Sequence, residues 1–526
     1  MLHRLAPLLA LPATALAATS ALAAPPVIEI DGAMDDWKSV AVAVNDPADA
    51  PDGFIDLLGV KVAADARRVH IQFETARLCN LQGLDGRLDL LLDVDGSERS
   101  GEPVAGMEGA DLSVVFTPPD RRRPDRPGRG VGLDIPGARG RAELNPYDLG
   151  LSFAPSHASD RFEVRLERGT MVPGAGMLFA GSRARGVFVF RDLNGTIVDT
   201  TEPFTITLPP MTGADIPRTP TGPDLQSQPT SPLARTKAAP GAAGRADGEV
   251  AVHNDVRVMS WNAEHGVMLQ QAGATTRLMR AATPDIVLLQ ELPDSTAPES
   301  VRRLLDRATG QSWTVRVGVG GGNLRCAVAT TLPAKPVALL DPLPMPDNPN
   351  RQVRTAALLI DHPQGSILAV SVHLKCCGRM GDRSDTTRIT EATTIQRAII
   401  AAVKEHDPAG VIVAGDLNLV GSRTPLELLL RGTDIDGSEL LAADARQPGE
   451  GRTNATWSDA GQPFVPGRLD YVLVSDDAWK VSGALVLNGE EMTGRAWQAS
   501  GMLPADTLIS DHFPVLVDLD WATAGQ

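Results

Sequence analysis

The sequence predicts an α/β protein with an all-β first half, and three observations carry that prediction. Between 27 and 208, short runs alternate apolar and polar residues with the period of a half-buried strand. Between 209 and 249, eight prolines sit among Thr, Ala and Gly with no apolar period, which marks a linker. From Val256 onward, apolar runs buried on both faces alternate with helical stretches.

At 526 residues the chain is long enough for more than one domain. Its first 24 residues hold one Arg, an apolar stretch and then Ala21, Leu22 and Ala23. This is the layout of a secretory signal peptide cleaved near Ala23 or Ala24, so an extracellular or periplasmic protein is expected. No later stretch is apolar over a bilayer's thickness, and a soluble monomer is expected. The formal net charge is -16. A protein that holds polyanions by its overall field is usually basic, so any nucleic acid must be met by a local patch or a bound metal.

Residues 25–208 read as a β-sandwich. In RRVHIQFET, Val69, Ile71 and Phe73 alternate with His70, Gln72 and Glu74, and similar runs follow at 88–94, 112–116, 161–166, 186–190 and 203–208. The turn DVDGSE, with Asp93 and Asp95, has its glycine in the wrong place for an EF-hand and reads as a solvated turn. The loop DRRRPDRPGRG, 120–130, reads as a solvated basic insertion. The stretches VIEIDGAMDDW, GFIDLLGVKVAADARRVHIQFE and LLLDVDGSERSGEPVAGMEGADL resemble sandwich modules related to carbohydrate-binding module family 9. That resemblance implies glycan or cell-envelope contact through this half. The 209–249 linker, at about 40 residues, would span roughly 35 Å as a flexible chain, which would let the two halves move independently.

In residues 250–526, strand after strand ends in a polar residue. VRVMSWNAEHG ends at Asn262, PDIVLLQEL at Glu291, GSILAVSVHLK at His373, and VIVAGDLNLVGS at Asp416 and Asn418. GRLDYVLVS carries Asp470, and ISDHFPVLVDL carries Asp511 and His512. The helical segment 386–406 places Ile389, Ala392, Ile395, Ile399 and Val403 near one face. Core strands do not need such polar ends. If they meet at one edge of stacked sheets, they form a hard-oxygen pocket beside two imidazoles, suited to Mg2+, Mn2+ or Ca2+ and to proton transfer near neutral pH. Metal with acid/base groups is what phosphate-ester hydrolysis requires.

The ordered set N-x-E, QE, S-x-H, GD-x-N, R-x-DY and SDH resembles the endonuclease/exonuclease/phosphatase superfamily over about 254 to 521. The resemblance implies a four-layer α/β sandwich, two packed sheets flanked by helices. It implies metal ligation by Glu291, Asn262 and Asp511, and phosphate contact by Asn418. Asp416 would position or deprotonate the attacking water, Asp470 would orient His512, and His373 would be the general acid. It leaves two candidates for the general base, Asp416 and the His512–Asp470 pair. Glu264 is set aside as exposed or outside the metal shell.

The expected substrate is a phosphodiester, with nucleic acid favoured by Arg379, Arg383 and Arg388 after His373. A small phosphate monoester, a lipid phosphodiester, and a binding protein with an inactive hydrolase half are the alternatives. Four cysteines, Cys79, Cys326, Cys376 and Cys377, lack C-x-x-C spacing, so a structural zinc site is not expected. A bridge from Cys326 to Cys376 or Cys377 is expected. The loop HLKCCGRMGDRSD, 373–385, departs from the HLKSKG-like continuation of secreted nucleases and should shape the substrate pocket.

Overall fold

The computed structural model describes residues 27–120, 122–123, 126–136, 144–211, 255–449, 453–492 and 499–522. The signal peptide and nearly all of the linker expected from the sequence lie outside these residues.

Alternation in the first half produces two antiparallel sheets. One runs Val42–Asn45, Leu57–Ala64, Arg68–Cys79, Ser159–Glu167, Ser152–Ala154. The other runs Ile197–Thr200, Arg183–Arg191, Arg87–Asp93, Leu112–Phe116, Val131–Asp134, with Phe204–Thr207 also paired to Arg183–Arg191. Val69, Ile71 and Phe73 face Leu88, Leu90, Phe162 and Phe188 in one shared core. The polar positions between them hold a surprise: His70 and Gln72 are buried as well. Burial pushes His70 down to about 3 and keeps it neutral. In the turn after Arg87–Asp93, Asp93 accepts from the Gly96 and Ser97 backbone N–H groups and pairs with Arg185 at 2.8 Å.

The second half stacks two six-stranded sheets. The first runs Thr314–Val317, Leu324–Thr330, Ile286–Pro293, Val256–Asn262, Val515–Trp521, Trp479–Val486. The second runs Ala334–Pro336, Arg354–His362, Gly365–His373, Gly410–Asp416, Asp470–Val474, Leu441–Ala442. Doubly apolar strands are what this stacking requires. Ile412 and Ala414 point between the sheets with Val258, Leu288, Ala369 and Val517, while Val411 and Val413 point outward under the helices Arg383–His406 and Thr424–Leu430. The helices Ala272–Ala282 and Pro298–Thr309 cover the other outer face through Leu278, Met279, Val301 and Leu304. The expected helix over 386–406 begins three residues earlier, because Asp382 caps it by accepting the Asp385 N–H.

The two halves make direct contacts with each other. Asn80 donates to the Val420 and Gly421 carbonyls at 2.9 and 3.2 Å, and accepts the Met380 N–H at 2.6 Å. Ser156 donates to Leu419 and Arg468 carbonyls, the Ala158 N–H to Gly421 at 2.7 Å, and the Val131 N–H to Pro463 at 2.7 Å. Arg379 pairs with Asp85 at 2.5 Å, and Arg446 with Glu29 and Asp31. Gln72, on a face expected to meet solvent, lines a cavity of about 630 Å³ shared between the halves. Among the described residues no helix is long and apolar enough to cross a membrane.

Contacts of this extent make an association testable without the covalent tether. Cutting the chain at a protease site inserted between 212 and 254 should leave the halves co-eluting on a sizing column. Separate elution at micromolar concentration would show that the tether alone holds them together.

Candidate active site

Strand register builds the site. In the second sheet His373 pairs with Asp416 in parallel, and Asp416 faces Asp470 in the antiparallel pair. Three strand ends therefore present an imidazole and two carboxylates in one row. Gly415, at φ 149°, allows this close approach, since a Cβ there would collide with the Val372 carbonyl. In the first sheet Asn262 pairs with Gln290, and Glu291 follows at φ 57°, where the pairing with Leu324–Thr330 breaks register between Leu289 and Leu292. This bulge turns the Glu291 carboxylate out of the sheet toward the row. One layer below, Gln290 donates to Ser371 at 2.9 Å and Ser371 to the Leu289 carbonyl at 2.9 Å, tying the sheets together.

The side chains meet at Asp416. Its Oδ2 accepts from Asn262 Nδ2 at 3.1 Å and Asn418 Nδ2 at 2.9 Å, and its Oδ1 accepts the Asn418 N–H at 2.8 Å. Asn418, at φ 50°, also donates to the Leu374 carbonyl at 3.2 Å. Asn262 Nδ2 reaches Glu291 Oε1 at 3.3 Å. His373 Nε2 lies 3.5 Å from Glu291 and 3.6 Å from Asp416. His512 Nδ1 is 2.7 Å from Asp470 Oδ2, which Thr456 also donates to at 2.7 Å. The turn carrying His512 is held in place because Ser510 donates to the Asn262 carbonyl and Trp261 to the His512 carbonyl.

These contacts divide the two imidazoles. Burial opposes charge on His512, but Asp470 and Asp416 outweigh it and push the ring up to about 10. His373 is held well below its usual value by burial first and then by the Arg354 and His512 charges. Burial, with Asp470 and Glu291 nearby, pushes Asp416 up to about 7 against the pull of His512.

Of the residues singled out in the sequence, seven gather here: Asn262, Glu291, His373, Asp416, Asn418, Asp470 and His512. Asp511 lies at the edge, with its carboxylate accepting from Trp457 Nε1 at 2.8 Å. Glu264, set aside in the sequence, accepts the Asp511 N–H at 3.2 Å and feels both Asp511 and Glu291, which push its carboxyl up behind the effect of burial. The N-x-E spacing was the only sequence signal for it. Three helpers also lay beyond sequence reading. Thr456 supports Asp470, Trp457 holds Asp511, and Tyr147 from the sandwich accepts the Asp459 N–H at 3.0 Å.

The expected Cys326 bridge is absent. All four cysteines are free, with Cys326 sealed between the sheets and its thiol donating to the Arg354 carbonyl. Two of the three arginines expected to favour nucleic acid are committed elsewhere. Arg388 is fully buried and donates to the Lys375 and Cys377 carbonyls, while Arg379 pairs with Asp85.

The charge on His512 has a consequence for stability. Its folded value of about 10 exceeds the ordinary 6.5, so the His512–Asp470 contribution is complete below pH 6.5 and is lost as pH rises through 10. Asp416, pushed up to about 7, titrates lower in this window, which leaves its upper part to His512. In EDTA, the wild-type Tm should fall between pH 7.5 and 10 more steeply than that of Asp470→Asn. Parallel curves would remove the charged pair.

Residues 259–512 match the model of the Endonuclease/Exonuclease/phosphatase family. No curated protein matches the chain. Among solved structures, humanized D. rerio TDP2 is 17% identical over 50% of this chain and 98% of its own, with a TM-score of 0.33. ANGEL2, described as a 2',3'-cyclic phosphatase, is 16% identical over 50% and 94%, with a TM-score of 0.36. The human Nocturnin catalytic domain is 18% identical over 51% and 94%, with a TM-score of 0.35. The second half of this chain is an α/β sandwich of the endonuclease/exonuclease/phosphatase type, and it carries that family's model over residues 259–512.

Proposed function

We propose that this chain is an exported, divalent-metal-dependent phosphoesterase that hydrolyses a phosphodiester by attack of water. One observation carries the reading. Glu291, His373 and Asp416 each offer a ligand atom within 4.8 Å of the others, beside the His512–Asp470 pair. Buried carboxylates this close repel one another, and burial alone makes the Asp416 charge costly at neutral pH. A divalent cation relieves that cost. A donor set dominated by carboxylate oxygens, with one imidazole and an amide nearby, suits Mg2+ or Mn2+. When bound, such an ion supplies Lewis acidity for a phosphoryl oxygen and offsets developing negative charge.

The chain's own residues do the remainder. Glu291 is the first carboxylate assigned to the metal, with Asn262 beside it, while Asp511, held by Trp457, lies at the edge of the site. Asp416, oriented by three N–H donors, is placed to align water and take its proton. His512, locked by Asp470, brings a fixed positive charge to the phosphate. His373 is neutral in this environment, so donating to the leaving oxygen would need its pKa to rise when the phosphate dianion or monoanion arrives. The commitment of Arg379 and Arg388 favours one second reading, a small phosphate ester that needs no basic track for a polymer.

Two measurements test this. Exhaustive chelation should abolish hydrolysis of plasmid DNA, RNA or bis-p-nitrophenyl phosphate, and Mg2+ or Mn2+ should restore it. Activity that survives chelation overturns the metal reading, and cleavage of small esters alone selects the second substrate reading. His373→Ala should slow the reaction by about 10² to 10⁴ if the ring is a general acid. The loss should shrink for esters with a good leaving group. Equal losses for both ester classes would make His373 a phosphate- or metal-binding residue instead.

A further inference from the structure

We propose that Cys376 and Cys377 form a reversible thiol–disulfide exchange site on the active-site loop, closing a disulfide between sequence neighbours that slows hydrolysis. The activity arm of this proposal rests on the phosphoesterase reading above.

The geometry is specific. The Cys377 thiol donates to Cys376 Sγ at 2.9 Å, and Lys375 Nζ lies 3.4 Å from the same sulfur. Cys377 is exposed and Cys376 half-buried, so both can be reached from solvent. Their backbone is fixed rather than loose. The buried Arg388 guanidinium spans the turn by donating to the Lys375 and Cys377 carbonyls, and Glu391 accepts the Lys375 N–H at 2.7 Å. Cys377 sits at φ 69°, a left-handed conformation that a non-glycine residue adopts only when its surroundings impose it. The result holds two thiols on the same side of one turn. Hydrogen bonding from Cys377, then Lys375 and Arg354, lower the Cys376 thiol to about 5 against the effect of burial, which makes it the attacking sulfur. Cys79 and Cys326 are buried and pushed up to about 12, so they stay out of the exchange.

The reaction balances with any low-molecular-weight disulfide as oxidant. Cys376 thiolate attacks one sulfur of that disulfide and expels a thiolate. The Cys377 thiol then gives up its proton and attacks Cys376 Sγ, expelling the second. Two protein thiols become one S–S bond, two electrons pass to the small disulfide, and its halves leave as two thiols. The bond would be labile. Consecutive Cα atoms stand about 3.8 Å apart, below the roughly 4.4 Å at which ordinary disulfides begin, and such strain makes a disulfide easier to reduce.

The loop gives the bond an effect. Leu374, two residues before the pair, accepts from both Asn418 Nδ2 and Arg354 through its carbonyl. Asp385, below the turn, accepts from Ser422 N and Oγ in the loop that follows Asn418. Ring closure at Cys376–Cys377 must turn the backbone between these anchors, and the Asn418 amide moves with it.

The test uses the full chain in glutathione buffers of increasing oxidised fraction. Intact mass should show loss of two hydrogens with no glutathione added, and native iodoacetamide should label two cysteines in the reduced protein and none in the oxidised. A misplacement of about 1 Å in a catalytic group costs up to about 10²-fold, so the oxidised form should hydrolyse bis-p-nitrophenyl phosphate roughly 10-fold slower. Dithiothreitol should restore the rate, and the C376S/C377S double variant should keep the reduced rate in every buffer. Two thiols persisting in the most oxidising buffer, stable glutathione adducts in place of the bridge, or an unchanged rate after ring closure would each overturn the proposal. If the double variant fails to fold, the mass and thiol count of the wild type still decide. If the reduced protein hydrolyses nothing, the phosphoesterase reading fails, while mass and labelling still report on the exchange site.

Discussion

Asp416 is the buried charge that the second half is arranged around. It ends a strand whose every residue is sealed from water, yet it collects three N–H donors, a neighbouring imidazole pair and a second carboxylate within ligand reach. A carboxylate placed so deeply is costly unless it is hydrogen-bonded and compensated. Much of the local architecture serves that compensation. Asn262 leans from the first sheet, Asn418 doubles back in a left-handed turn, and His512 is kept positive by Asp470 behind it. The site is a consequence of two sheets sharing one polar edge.

The loops that finish this edge are not held by the second half alone. Asn80 of the sandwich bonds both the segment after Asn418 and the segment after the cysteine pair, and Tyr147 and Gln82 bond the stretch leading back to Trp457 and Asp511. The sandwich thus acts as a brace for three site-forming loops. Gln72, on the outer face of its sheet, lines the cavity shared with the second half, so this part of the face is not a plain solvent face.

Several of the backbone's left-handed non-glycine residues lie in this region, while others, such as Ala105, Thr117, Phe179, Thr283 and Asp407, lie elsewhere. Glu264, Glu291, Cys377 and Asn418 all take positive φ, and each lies in the cleft or on the loop beside it. Asn tolerates that conformation, but Glu and Cys pay for it, and packing elsewhere must hold them there. For Glu291 the reason is plain: Gln290 reaches Ser371 of the second sheet, so regular alternation would send the Glu291 carboxylate to the opposite face, away from Asp416.

Local pattern was enough for the sandwich strands, the doubly buried strands and the long helix, because alternation and helical spacing are written in neighbouring residues. The polar strand ends were equally legible, since Asn262, Glu291, His373, Asp416, Asp470 and His512 interrupt apolar runs that have no local use for them. Other features depend on residues far apart in the chain. The docking of the halves, the burial of His70 and Gln72, the support from Thr456, Trp457 and Tyr147, and the diversion of Arg379 and Arg388 from any substrate all arise this way. So does the isolation of Cys326 from the cysteine pair. A residue's type states which bonds it can make, but only register, bulge and domain contact determine which partner comes within 3 Å. Sequence therefore determined the chemistry available at the strand ends, and tertiary structure decided which of those groups are charged, which are braced, and which sulfurs can meet.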